Sequence, residues 1–142
     1  MPPNKRWITL FIIFVIISLV LGCQEERKSI ESRCDYDGVK IEPIYAVYFT
    51  LQDGTEKKFC SIVCASMSFS KLKKEVKKVM LVDEASEKKV SAPQAFFVES
   101  DIVTVPHVKN RIHVFAKKED ALKHLQKFKG RWVENPFHYS VK

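Results

Sequence analysis

The hydrophobic positions change rhythm along the chain, and each rhythm predicts a different element. From Trp7 to Gly22 they run almost unbroken as "WITLFIIFVIISLVLG", with only Thr9 and Ser18 interrupting, behind Lys5 and Arg6. A spanning helix needs about 20 apolar residues, so a positive flank ahead of a shorter core predicts a secretory signal over residues 1–22. Residues 24–33, "QEERKSIESR", have no apolar period and read as a tether. From Tyr45 the pattern alternates, and "YAVYFTLQDGTEKKF" predicts two strands joined at an Asp53-Gly54 hairpin turn. Ala65, Phe69, Leu72, Val76 and Val79 then recur four and three apart, which predicts a helix with the lysines of "KLKKEVKK" (71–78) on its wet faces. On a tethered protein those lysines also suit an anionic lipid surface. A third strand is expected around Met80 to Val82.

The pattern then repeats. A shift of 56 positions lays Phe59 on Phe115, Ala65 on Ala121, Phe69 on Leu125 and Leu72 on Phe128. Two ββαβ halves are predicted, at about 45–84 and 94–134, forming one small α+β domain over 34–134, with a tail at 135–142. In the second helix Ala121, Leu125 and Phe128 form the buried stripe, Gly130 is the expected stop, and His124 falls on the wet side. The halves differ where chemistry is concerned, because Cys60 and Cys64 stand opposite Ala116 and Asp120.

Charge narrows the function classes. Loss of residues 1–22 lowers the formal charge from +7 to +5, and no basic patch interleaved with aromatics is present, so nucleic acid is not an expected partner. No Ser/His/Asp order, glycine-rich phosphate loop or paired acidic motif stands out, which points to a binding protein and not to an enzyme. The apolar run ends in "LVLGC", which resembles the lipobox of bacterial lipoproteins. That resemblance implies cleavage before Cys23, a diacylglycerol on its sulfur, and a membrane-anchored protein facing the periplasm. Gln24, in place of the Asp that retains lipoproteins at the inner membrane, favours the outer membrane.

Cys34, Cys60 and Cys64 then remain, an odd set outside the cytoplasm, which argues against a fully paired disulfide framework. On a helix, Cys60 and Cys64 would share a face with side-chain vectors poorly placed for a disulfide. They suit a metal better, and a helix N-terminus would lower their thiol pKa values. Soft sulfur ligands favour Cu(I), with Zn as the other candidate. A redox pair and plain core packing stay open on the residues alone. His113 reads as structural or solvent-facing, and Met67 and Met80 as core filler.

"CDYDGVKIEPIYAVYFTLQDGTEKKFCSIVCA" resembles the metal knuckle and helix start of TRASH and YHS heavy-metal domains. Over Cys34 to about Glu134, with "LVDEASEKKVSAPQAFFVES" and "VPHVKNRIHVFAKKEDALKHL", the chain resembles the NosL family of copper-binding lipoproteins that accompany nitrous oxide reductase. The resemblance implies a duplicated ββαβ fold and a metallochaperone that exchanges metal with a partner protein, such as a copper enzyme or transporter. It also implies His107 as a ligand, since "VPHV" stands where the family has a Thr-Pro-Met-Gly turn, and Gly38-Val39 where it has Gly-Met. The expected metal set is Cys34, Cys60, Cys64 and His107. The alternative is an envelope thiol-redox or assembly lipoprotein that uses Cys60 and Cys64 without metal.

Overall fold

The computed structural model describes residues 32–105 and 111–138. Cys23 and His107 lie outside them, as does the apolar run. Val47–Leu51 (β1) and Glu56–Phe59 (β2) form the expected hairpin, with Val47 opposite Phe59 and Thr50 opposite Glu56. Gly54 has a φ of +87°, and the Asp53 side chain accepts the Thr55 N–H at 2.9 Å, which closes the turn. Ile62–Leu72 (α1) follows, capped by Ser61, and then Val76–Val82 (β3) and Lys89–Ser91 (β4). The second half runs Phe96–Glu99 (β5), Ile112–Phe115 (β6), Lys118–Phe128 (α2) and Arg131–Val133 (β7). Single 3-10 turns at Pro43–Tyr45 and Ala92–Gln94 lead into β1 and β5.

The sheets are antiparallel, ordered β2-β1-β3-β4 and β6-β5-β7, so each half repeats the same ββαβ order. The helices Ile62–Leu72 and Lys118–Phe128 lie 56 positions apart at both ends. The 3-10 turns lie only 49 apart, because the stretch from the start of β5 to the start of β6 is longer by seven residues than that from the start of β1 to the start of β2. His107 belongs to that longer connection.

Helix α1 is shorter than its apolar spacing predicts. It ends at Leu72, and Val76 and Val79 belong to β3. The register between β1 and β3 shifts between Thr50 and Leu51, setting Leu51 opposite Val76 and Thr50 opposite Lys78. A bulge of this kind lets residues three apart face the same side of a strand, so Val76 and Val79 are both buried while Lys77 and Lys78 are exposed. Helix-like spacing therefore came from an irregular strand.

Most of the core lies around Phe49, whose ring meets Phe59 at 4.7 Å, Phe69 at 5.9 Å and Phe137 at 5.8 Å between centroids. Phe137 also meets Phe97 of β5 at 6.4 Å and is 1% exposed. It is held there by Asn135, which donates to the Ala92 carbonyl at 2.8 Å and accepts the Phe137 N–H at 2.9 Å. The segment expected as a tail therefore supplies an aromatic contact to both halves. On β5, Phe97 faces this core, whereas Val98 packs with Phe115 and Ala121 beneath α2, with Phe96 and Leu125 against them. Gly130 lets the chain leave α2: its φ is +121°, and a Cβ there would sit 1.9 Å from the Glu99 carbonyl oxygen.

Candidate metal centre

The first half of the site is a tight loop built by its own backbone. The Cys34 N–H donates to the Val39 carbonyl at 2.8 Å, and the Gly38 N–H donates to the Cys34 carbonyl at 2.8 Å. Gly38 adopts φ +74° with open space around it, so the turn needs glycine for its backbone and not for room. Asp35 docks the loop on β2: its N–H donates to the Lys58 carbonyl at 2.8 Å, and its Oδ2 accepts the Lys58 N–H at 2.6 Å. Two residues beyond Lys58, the chain delivers Cys60.

The second half is a helix start. Ser61 is the cap of α1, its Oγ accepting the Cys64 N–H at 3.2 Å. Cys60 precedes the cap, so the pair is not two positions on one helix turn, as its spacing suggests. The sulfurs of Cys60 and Cys64 lie 3.6 Å apart as free thiols. Cys34, Cys60 and Cys64 are all buried. Their sulfurs and a carboxylate oxygen of Asp37 all lie within 4.8 Å of one another. Cys64 Sγ donates to Asp37 Oδ2 at 3.2 Å, and Cys60 Sγ lies 3.8 Å from both carboxylate oxygens. In a tetrahedron with metal–sulfur bonds of about 2.3 Å, neighbouring sulfurs sit about 3.8 Å apart, close to this spacing.

Three of the four expected ligands thus converge, and a further group joins them. Asp37 lies outside the expected set of thiols and one imidazole. Its signal is its place in "CDYDG", three residues after Cys34 and just before the glycine that turns the chain.

The electrostatics reverse one expectation. Cys64 does sit in the first turn of α1, yet burial pushes its pKa up to about 11, with the Asp37 carboxylate also raising it. Burial likewise pushes Cys60 far above the ordinary thiol range. Desolvation of the thiolate therefore outweighs the partial positive charge of the helix end. Burial acts to raise the Asp37 pKa too, but hydrogen bonds from Cys34, Cys64, Val39 and Cys60 hold it below the usual carboxylate value.

The other histidines serve the packing. His113 is fully buried, its Nδ1 2.8 Å from Glu84 Oε2 and its Nε2 3.1 Å from the Val103 carbonyl. Burial acts to lower its pKa, but Glu84 outweighs this and holds it above the ordinary value. His124 faces inward and not to water: its ring lies 4.5 Å from His113 and 4.8 Å from Phe128. Burial, with His113 beside it, pushes its pKa down to about 4. His138 is exposed. Met80 is half-buried, whereas Met67 is 49% exposed and is no core filler.

The loop at 83–88 is a second copy of the knuckle. The Asp83 N–H donates to the Lys88 carbonyl at 2.9 Å, the Glu87 N–H to the Asp83 carbonyl at 2.8 Å, and Glu87 takes φ +59° where Gly38 takes +74°. Glu84 docks on β6 as Asp35 docks on β2: its N–H donates to the Val114 carbonyl at 3.0 Å and its Oε1 accepts the Val114 N–H at 3.1 Å. Asp83 stands in the place of Cys34, Ser86 in that of Asp37, Ala116 in that of Cys60 and Asp120 in that of Cys64. Here the Asp83 carboxylate is satisfied by the N–H groups of Ala85 and Ala116, at 3.3 and 3.1 Å, and by the Ser86 hydroxyl. The backbone frame of the knuckle thus holds with no thiol in it.

No protein-family model matches the chain, and no curated protein matches it in sequence. Among solved structures, the chain is similar to the crystal structure of the copper chaperone NosL from Shewanella denitrificans. The TM-score is 0.61 at 20% sequence identity, over 78% of this chain and 92% of that one. The fold expected from the resemblance in sequence is the fold observed, and the matched protein is named as a chaperone and not as an enzyme.

A knuckle whose backbone recurs at 83–88 without thiols would make a bound metal a guest and not a structural element. The metal-free chain, with or without Cys34→Ala, Cys60→Ala and Cys64→Ala together, is expected to unfold cooperatively in urea. The triple variant should lose no more than about 3 kcal/mol, roughly the cost of three small core truncations. Unfolding of the wild type by a chelator, as in zinc fingers, would show instead that the ion builds the fold.

Proposed function

We propose that this chain is a lipid-anchored metallochaperone of the cell envelope that holds Cu(I) and passes it to a partner by ligand exchange. The observation that carries the reading is the convergence of Cys34, Cys60, Cys64 and Asp37 within 4.8 Å, on a backbone loop that the fold repeats at 83–88 without thiols. Similarity in fold to a copper chaperone supports it. Three sulfurs suit a soft ion, and Cu(I) accepts two, three or four ligands, so a donor from the acceptor can bind before the first ligands leave. Zn(II) is the other candidate. The partner is a metal donor or acceptor, such as a copper enzyme or transporter. His107 remains a proposed ligand from the second half. Val105, two residues before it, is buried and lines a small cavity with Ser61 and Ile62, which flank the clamp cysteines.

The 3.6 Å approach of Cys60 and Cys64 favours a second reading, a redox pair. Against it stand the raised thiol pKa values, since the thiolate is the species that attacks a disulfide. Both readings predict chemistry at Cys60 and Cys64, but only one predicts dependence on Cys34.

Competition of the anaerobic full-length chain against a chromogenic Cu(I) chelator is expected to give about one ion per chain. Cys34→Ser and Cys64→Ser should each weaken binding by at least tenfold, and His107→Ala by roughly ten- to a hundredfold, as for loss of one supporting group at a metal site. Burial raises the Cys60 and Cys64 pKa values, so binding has to displace their protons and apparent affinity should rise with pH through the neutral range. Absence of Cu(I) uptake, with a reducible Cys60–Cys64 disulfide forming in air, would favour the redox reading.

The lipobox-like "LVLGC" supports anchorage at Cys23; among the described residues no helix is long and apolar enough to cross a membrane. Palmitate label should enter the wild type and not Cys23→Ser. Mature wild type without label would remove the anchor, and fractionation of the labelled protein tests the outer-membrane placement.

A further inference from the structure

The four groups of the cluster differ in two ways that bear on metal exchange. Cys34, Cys60 and Cys64 are 3–5% exposed, whereas Asp37 stands in the open at the tip of the knuckle. Their chemistry differs as well. Carboxylate oxygen is a good ligand for Zn(II), which takes four donors in a tetrahedron, and a poor one for Cu(I), which prefers sulfur and tolerates fewer ligands. The group a Cu(I) ion sheds most readily is therefore the one another molecule can reach.

The carboxylate is also held over the thiols by its own turn. Its Oδ1 accepts the Val39 N–H at 3.1 Å while Oδ2 accepts from Cys64 Sγ at 3.2 Å. It has a hydrogen bond to fall back on when a metal bond breaks. The copied loop marks which part of this arrangement the fold requires: Ser86 stands in the Asp37 position and bonds only to Asp83, and that loop keeps its shape. Two of the exposed large hydrophobic residues flank the opening in sequence, Tyr36 beside Asp37 and Met67 three residues beyond Cys64 on α1.

Resting on the chaperone reading, we propose that Asp37 is the metal-discriminating and exchangeable ligand of the cluster. It completes a set of three sulfurs and one oxygen around Zn(II), and on Cu(I) it yields its place to the soft donor of an acceptor. In the exchange one metal–oxygen bond breaks as one metal–sulfur or metal–nitrogen bond forms, and copper remains Cu(I). The freed carboxylate stays an anion on the Val39 N–H. Each thiolate then leaves in turn, replaced by a donor of the acceptor, and takes up a proton from solvent.

Asp37→Asn keeps an oxygen for the Val39 N–H and removes the charged ligand, so the knuckle should fold as before. Asp37→Cys supplies a fourth thiolate. Zn(II) and Cu(I) affinities of the full-length chain, and the rate of Cu(I) release to bicinchoninate, separate the possibilities. For Asp37→Asn, Zn(II) affinity should fall roughly ten- to a hundredfold while Cu(I) affinity moves by no more than about threefold, with release at least as fast as wild type. For Asp37→Cys, release should slow by about tenfold or more. Parallel loss of both metals in Asp37→Asn would assign the residue a structural role, and release from Asp37→Cys at the wild-type rate would place the exchange elsewhere. Either result overturns the proposal while leaving the chaperone reading in place. Failure of the wild type to bind either ion would overturn both.

Discussion

Two hydrogen bonds between Asp35 and Lys58 hold the candidate site together. One is backbone to backbone at 2.8 Å, and the other runs from the Lys58 N–H to the Asp35 side chain at 2.6 Å. Cys34 belongs to a loop and Cys60 to the end of a strand, 26 positions apart, and without this docking nothing local would bring their sulfurs together. The strand also sets the start of α1, where the Ser61 cap turns Cys64 back toward the loop. The second half repeats the device with Glu84 and Val114, and there Glu84 also holds the buried His113, while Asp83, Ala116 and Asp120 stand where the thiols are. The docking is a property of the duplicated fold, and the thiols are what one half has placed upon it.

Such a frame changes what the metal contributes. In a small zinc domain the free energy of binding is the free energy of folding, so an ion cannot leave without loss of the structure. Here the same backbone loop recurs at 83–88 without thiols, and the core around Phe49, Phe97 and Phe137 spans both halves. Burial of the thiols adds a second feature. It disfavours the thiolate and so suppresses the redox chemistry of a reactive cysteine, while a metal ion can still displace the protons. The same desolvation that disfavours the thiolates would make metal loading responsive to pH.

Much of this was legible in the residues. Alternation and Asp53-Gly54 gave the β1–β2 hairpin, and one offset of 56 placed α2 on α1. What the periodicity misread has identifiable causes. Val76 and Val79 keep helical spacing inside a strand because a bulge falls between them. His124 reads as wet because it stands beside Lys123, whereas its ring packs between those of His113 and Phe128. The second knuckle escaped notice because its offset is 49 and not 56, and because Cys34 and Asp83 share a position without sharing a chemistry. Asp37 is the most instructive omission. Spacing finds thiols easily, but a carboxylate that reaches them across a turn is visible only once the turn is built.

The central claim is that the three buried thiols of one knuckle hold a soft metal ion together. X-ray absorption at the copper edge of the full-length chain, loaded with one equivalent of Cu(I), tests it most directly. The account predicts a first shell dominated by roughly three sulfur scatterers near 2.3 Å. A shell of nitrogen and oxygen alone, unchanged when Cys34, Cys60 and Cys64 are replaced, would contradict it.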